Sequence, residues 1–489
     1  MPKVVLVNPN RMKPGVAPIA LDYLAESLAA AGHEIEILDL CFSQDWQADV
    51  DSCFADRHAD LVGMTIRNTD DCYFASQDFF VPFFKDVIDR IRSVSEAPIV
   101  LGGAGLSVAA KGILELTGAD YALVGEGEVA FPRLADRSDG SDRSDRSDLS
   151  DIPGLIYRDG GILRSNPPAW MDMAELPIRT RRWLDNRRYF DEGGQAGIET
   201  KRGCDGRCIY CADPVGKGAS CRVRPPSHVI AETKALLDQG IDCFHLCDPE
   251  FNIPIGHAEA VCREIIGSGL AGKFRWYTYA SPAPFTDELA DLMKRAGCIG
   301  IDFGADSGDD AVLRSLGRDF SSEDVRRTAE ICRRHGIVFM YDLLMGGPGE
   351  TRESVRRTIE LMKEISPSRV GVSVGVRIYG GTRLGRMVWR EGISPSNPSL
   401  HGQIEGNDDF LRPVYYIAPE VGIEVVDYIS SLIAGDQRFF HASMNQVDAN
   451  YNYNDNSVLV QAIKSGHRGA FWDILRRIQE GLPPSVNAD

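Results

Sequence analysis

The strongest constraint on the fold is a period change that repeats along most of the chain: short apolar runs alternate with amphipathic stretches of helical spacing. Lys3–Asn8 (KVVLVN) reads as a buried strand and residues 19–31 (IALDYLAESLAAA) as a helix that Gly32-His33 ends. Residues 34–40, 61–66, 99–101 and 121–124 supply four more strands with helices between them. Such alternation predicts a doubly wound, Rossmann-like parallel sheet, which binds ligands beyond the carboxyl ends of its strands. Those ends carry Asn8-Pro9-Asn10, Arg67-Asn68-Thr69-Asp70, Gly102-Gly103-Ala104-Gly105 and Gly125-Glu126-Gly127-Glu128. Two of these loops are glycine-rich, as close backbone approach to a ligand requires.

A second series starts near residue 195. Strands are expected at 198–201, 243–246, 275–279, 299–303, 338–344 and 370–377, with helices at 229–237, 287–296, 322–335 and 353–365. Six strand–helix units suit a partial (β/α)6 barrel, although periodicity alone does not separate this from another open sheet. Between the two series, residues 136–151 are a low-complexity run of Arg, Ser and Asp with no apolar face, hence a solvated loop. The connector that follows suggests a small hairpin at Asp159-Gly160-Gly161. Past 385 the pattern is irregular and aromatic, with a final helix over 469–478. The expected domains are 1–135, a loop and connector at 136–194, 195–385, and a small, mainly helical or irregular 386–489. Two to four domains is also what 489 residues imply.

The net charge of −18 argues against a nucleic-acid partner, because a phosphate backbone needs a basic surface. No run of about 18 apolar residues is present, so no membrane span is expected. The N-terminus lacks signal-peptide anatomy, which points to the cytoplasm. In that reducing compartment the 12 cysteines are not a disulfide framework, and a tight cluster of them is metal-binding or catalytic.

One such cluster exists, at the end of the second series' first strand. Cys204, Cys208 and Cys211 stand at C-x3-C-x2-C spacing, so three thiolates can converge from one loop on a soft metal centre. Cys221 could close a four-cysteine zinc site instead, in a zinc-stabilised binding protein. With Tyr210 before its last cysteine, the motif resembles the radical S-adenosylmethionine enzymes. That resemblance implies a [4Fe–4S] cluster on the three cysteines, with S-adenosylmethionine chelated at the unligated iron. It places Tyr210 near the adenine, Asp248 or Glu250 at the ligand's amino group, and Asp306-Ser307 in the strand-four segment. Asp306 stands where the family usually has glutamate. Arg318 would bond the ligand carboxylate, and the turns at Gly346-Gly347 and Tyr379–Thr382 would approach the adenine.

The first domain resembles the cobalamin-binding domain fused to many members of this superfamily. By that resemblance Thr65, Arg67 and Asn68 face the cobalt's lower side. Gly102, Gly103, Gly105 and Ser107 line the nucleotide tail, and Asn8, Gly125, Glu126 and Gly127 belong to the neighbouring loops. The Asp-x-His-x-x-Gly lower-ligand motif is absent, and His33 and His58 read as surface residues, so cobalamin is expected histidine-off. Residues 409–416 also recur in cobalamin-dependent radical enzymes. Tyr415, Tyr416, Tyr451 and Tyr453, with Phe439, Phe440 and Trp472, could cap a planar substrate, although aromatic stretches are more often core.

Together these resemblances imply a C-methyltransferase acting on an unactivated carbon of a small biosynthetic intermediate. It would work through methylcobalamin and a 5′-deoxyadenosyl radical, with a low-potential electron donor such as a flavodoxin or ferredoxin. Cyclisation or rearrangement without methyl transfer is the alternative with the same cofactors. A tRNA methylthiotransferase fits less well, since residues 401–489 are not basic.

Overall fold

The computed structural model describes residues 2–55, 58–137, 149–441 and 456–484. The first sheet comprises β1 (Lys3–Asn8), β2 (Glu34–Asp39), β3 (Leu61–Thr65), β4 (Ile99–Gly102), β5 (Tyr121–Leu123), β6 (Leu155–Asp159) and β7 (Ile162–Ser165). Their order is β2-β1-β3-β4-β5-β6-β7, parallel through β5 and antiparallel at the last two. The order reverses at β1, the point where such sheets open a crevice at their carboxyl ends. β1 and β3 are apolar and buried on both faces because helices cover both sides. The hairpin expected at Asp159-Gly160-Gly161 forms. It extends this sheet, which therefore runs past residue 135. Most of the Arg–Ser–Asp run, residues 138–148, lies outside the described residues.

The second sheet starts at β8 (Ala196–Ile198); β9 (Lys201–Arg202) pairs instead with β10 (Arg222–Val223) in a two-stranded ribbon. Then follow β11 (Cys243–Leu246), β12 (Arg275–Ala280), β13 (Cys298–Asp306), β14 (Val338–Met345) and β15 (Arg369–Val374). β16 (Val376–Arg377), β17 (Leu400–Gly402) and β18 (Val414–Tyr416) make a small antiparallel sheet, and β19 (Phe439–His441) returns to the edge of β15. The main sheet thus has seven parallel strands, in the order β19-β15-β14-β13-β12-β11-β8. Phe439 and Phe440, expected in an aromatic cap, are therefore part of a strand; a three-residue run is too short to show a period. Three of the helices between these strands, Asp287–Arg295, Ser322–Arg334 and Arg352–Ile365, start on side-chain caps. Thr286 accepts from the Leu289 amide, and Ser321 and Thr351 sit in capping boxes.

The two sheets are joined by buried ion pairs. Arg181 of the connector lies 2.9 Å from both Asp22, on the helix Ile19–Ala30, and Glu232, on the helix Pro226–Leu237. Glu232 also accepts from Tyr23 Oη and Arg224. Arg202 of β9 pairs with Glu128 at 2.6 Å, and Arg377 of β16 with Asp70 at 2.8 Å. Charges this deep persist only when paired. His33 is buried under Asp136, not at the surface, because the helix–strand turn folds onto the neighbouring helix; His58 is exposed. No described helix is long and apolar enough to cross a membrane.

Candidate active site

β8 delivers the chain to the cysteine loop. Asp248, at the end of β11, is fully buried and accepts from the Thr200 amide, the Thr200 hydroxyl and the Lys201 amide at 2.5–3.2 Å. Asp248 thus clamps the segment leading to Cys204 with both carboxyl oxygens. Glu250, two residues on, faces the site. The three thiols influence one another electrostatically, and burial pushes each of them up. Holding them as thiolates therefore needs positive charge, which Arg318 supplies by donating from Nη1 to Cys208 Sγ at 2.9 Å. Its Nη2 donates to Glu250 at 3.0 Å and to the Gly304 carbonyl at 2.8 Å, and its Nε lies 3.3 Å from Asp306. Tyr210 Oη completes the group by donating to Asp306 at 2.6 Å. Burial raises the Asp306 carboxyl, while Arg318 and Tyr210 pull it back. Asp306 takes φ +57°, the strained left-handed region, as strand β13 ends there. Five residues from four segments of the chain (Cys208 and Tyr210, Glu250, Asp306, and Arg318) thus form one network.

Among the described residues no three His, Cys, Asp or Glu side chains are placed to hold a single metal ion. Cys221 turns instead toward the Ile253 carbonyl, 3.9 Å away. Ser307 is fully buried, bonded to Thr358 and to the Asp309 amide, and tied to the helix Arg352–Ile365. The amides of Gly346 and Gly347 both donate to Glu350, so this glycine turn is held by the protein's own carboxylate.

At the first sheet's carboxyl ends the glycines have two different causes. A Cβ on Gly103 would stand 2.5 Å from the Ile66 carbonyl, and one on Gly105 would stand 2.8 Å from the Arg67 and Asn68 backbone. These two are glycine because the β4 loop packs on the β3 loop, whereas Gly102 faces open space. Ser107 ties the loops together, donating to the Gly103 carbonyl and accepting from the Gly125 amide, both at 3.2 Å. Glu126 is taken up by Arg222 at 2.6 Å and by the Met171 amide at 2.8 Å, so it joins the two domains. Asn8 is buried against Asp39 and Tyr189. Thr65, Gly102, Gly103, Gly125 and Gly127 line a narrow slot of about 170 Å³.

A larger cavity of about 470 Å³ lies between these loops and the second sheet. Asn8, Thr65 and Arg67 line it from one side, and His245, Tyr279, Asp302 and Asp342 from the strands β11–β14. Burial lowers His245 to about 4, so its imidazole is neutral, and its ring packs 4.6 Å from Tyr279. Those four residues were not anticipated. The available signal was a charge inside an apolar strand run, as in IGIDFGA and VFMYDLLM. Tyr415, expected at the substrate, is fully buried against Phe74 of the first domain; its small strand is an interdomain contact. Tyr416 is half-buried on the same strand. Trp472 packs edge-on to Tyr277 and lines the cavity, while Tyr451 and Tyr453 lie outside the described residues.

Comparison with known proteins agrees with this layout. Residues 198–362 match the radical SAM superfamily, and residues 11–135 match the B12 binding domain. Tryptophan 2-C-methyltransferase of Streptomyces laurentii is 30% identical, covering 96% of this chain and 95% of that protein. The structure of the radical S-adenosylmethionine methyltransferase TsrM from Kitasatospora setae, with tryptophan substrate and the SAM analogue aza-SAM, superposes with a TM-score of 0.90. It is 30% identical and covers 98% of this chain and 99% of that one. The same enzyme with cobalamin and a [4Fe–4S] cluster gives a TM-score of 0.88 at 29% identity, covering 98% of each chain. With both domains matched and the relatedness running nearly end to end, the chain belongs to the cobalamin-dependent radical S-adenosylmethionine methyltransferases.

Proposed function

We propose that this enzyme methylates a carbon atom of a small aromatic metabolite of the tryptophan type, bound in the cavity between its two sheets. The observation that carries this reading is the cavity itself. It has the size of a small-molecule site and is bordered by the β3 loop on one side and the second sheet on the other. Cys204, Cys208 and Cys211 would hold a [4Fe–4S] cluster, with Arg318 balancing the thiolate of Cys208. Tyr210, Glu250, Asp306 and Arg318 would surround S-adenosylmethionine. Thr65, Arg67, Asn68 and the open face of Gly102 would border cobalamin. Neither histidine of the first domain lines its slot, which favours histidine-off binding. When bound, these groups supply the methyl group, its carrier and the one-electron chemistry. The chain's own residues bind and orient them, hold the charge balance at Cys208, and exclude water by the buried ion pairs that close the two domains together. A low-potential donor of the flavodoxin or ferredoxin kind would deliver electrons in the reducing cytoplasm.

The test is anaerobic reconstitution with all three cofactors, methyl-labelled S-adenosylmethionine and a panel of indole and phenyl amino acids. Labelled methyl on carbon, with S-adenosylhomocysteine released, is the expected result. Cleavage of S-adenosylmethionine with no labelled methyl in any product overturns the proposal.

A further inference from the structure

Asp302 and Asp342 project from adjacent parallel strands, β13 and β14, onto the wall of the 470 Å³ cavity. Two carboxyls in contact inside a sheet are costly unless something compensates them. Burial and the neighbouring Asp342 push the Asp302 carboxyl well above the usual carboxylate range, and no basic side chain among the described residues pulls it back. Asp302 is only 4% exposed, yet its Oδ1 has no hydrogen-bond partner. The two carboxyls bond each other, and Asp302 Oδ1 is left as an unanswered acceptor at the cavity.

A second group on the same wall is incomplete independently of the acids. Trp472, 5% exposed, comes from the helix Phe471–Gln479 near the C-terminus, and its indole Nε1 has no acceptor. Tyr279, by contrast, keeps 43% of its surface open, and its ring leans on neutral His245. A buried acid pair with an open acceptor oxygen, a buried donor and an uncovered aromatic face on one cavity wall complement a ligand with three features. These are an ammonium group, an acceptor such as a carboxylate, and a flat apolar body. Replacing the missing donor at Asp302 with a cation would also remove the repulsion between the two acids.

We infer that the Asp302–Asp342 pair is the subsite for the substrate's ammonium group, with Trp472 Nε1 donating to its carboxylate and Tyr279 meeting its ring. The inference rests on the cavity being the substrate site proposed above, and it narrows the substrate class to amines, α-amino acids in particular. Asp302 lies four residues before Asp306 on the same strand, so the ammonium end would sit deep and the rest of the molecule would extend toward the Arg318 network.

The experiment is equilibrium titration of the reconstituted holoenzyme with amines paired with their deaminated analogues. The pairs are L-tryptophan with indole-3-propionate, and L-phenylalanine with 3-phenylpropionate; tryptamine serves as an amine without the carboxylate. The wild type should bind at least one amine more tightly than its deaminated partner. Asp302→Asn, and separately Asp342→Asn, should weaken that amine about tenfold to a hundredfold and leave the deaminated analogue unchanged. Circular dichroism identifies any variant that fails to fold, and the other variant then decides. Absence of any amine preference in the wild type overturns the inference, as does a well-folded variant that keeps the preference. If tryptophan is not bound but another amine is, in an Asp302-dependent way, the tryptophan-type reading falls and the ammonium subsite stands.

Discussion

Arg318 donates to the sulfur of Cys208 at 2.9 Å, although 110 residues separate them. The same guanidinium meets Glu250 and Asp306, so one cation serves a thiol and two carboxylates. A flexible ammonium cannot reproduce that fork. Arg318→Lys should therefore lower the methyl-transfer rate about tenfold to a hundredfold, the worth of one or two charge-assisted bonds. Iron and cobalamin content should stay near wild type. A variant with full activity would remove Arg318 from the site.

Cys208→Ala tests whether the two cofactor regions are separate. The cysteine loop and the slot at the first sheet's carboxyl ends are built from different residues. Iron and acid-labile sulfide should fall to background, while cobalamin absorbance of the purified protein remains. Joint loss of both would mean that the domains assemble only around the cluster.

Gly105→Ala should disturb the cobalamin side without touching the cluster. Its methyl group would stand 2.8 Å from the backbone of Arg67 and Asn68 and push the β3 loop away. Overpacking of this kind costs about 1–3 kcal/mol. A cobalamin titration followed by absorbance should show weaker binding, with iron content unchanged.

Arg181→Met should destabilise the domain contact. It leaves Asp22 and Glu232, both fully buried, without their shared cation. Removing one partner of such a network costs about 3–5 kcal/mol. Thermal denaturation should show the loss as a lower midpoint, and a midpoint equal to wild type would contradict it.

Glu350 sets a pH dependence. Burial raises its carboxyl from 4.5 to about 8, despite the bonds it accepts from the Gly346 and Gly347 amides. Between those values the folded protein keeps a proton that the unfolded chain has lost. Its contribution to stability is thus complete below about pH 4.5 and fades as pH rises toward about 8. Glu350→Gln can still accept from both amides but has nothing to titrate. Denaturant titrations should find the variant's stability flatter across this range, and its advantage over wild type greatest at the alkaline end.

Local pattern was enough for much of this protein. The order of strands and helices follows from apolar runs and amphipathic stretches, which neighbouring residues produce by themselves. The cysteine motif is equally local, because three ligands within eight residues need no distant partner to be recognised. Arg318 and Asp306 were singled out for a different reason: each stands in a segment that resembles the family's strand-four segment. Asp248 and Glu250 stayed alternatives because sequence tells that a carboxylate follows β11 but not which one backbone amides will engage. The glycines of the β4 loop were read as room for a ligand; Gly103, which lines the slot, and Gly105 also make room for the neighbouring loop, which sequence does not tell.

What only the tertiary structure decided is convergence. Asp302 and Asp342 lie 40 residues apart in unremarkable strands, and parallel pairing of β13 with β14 brings them onto one cavity wall. The same holds for Arg181 between two domains and for Phe439 in a seventh strand. Spacing along a chain determines which residues one loop can bring together. Contacts across a sheet or between domains depend on register and packing, which are settled only when the whole apolar surface is buried at once.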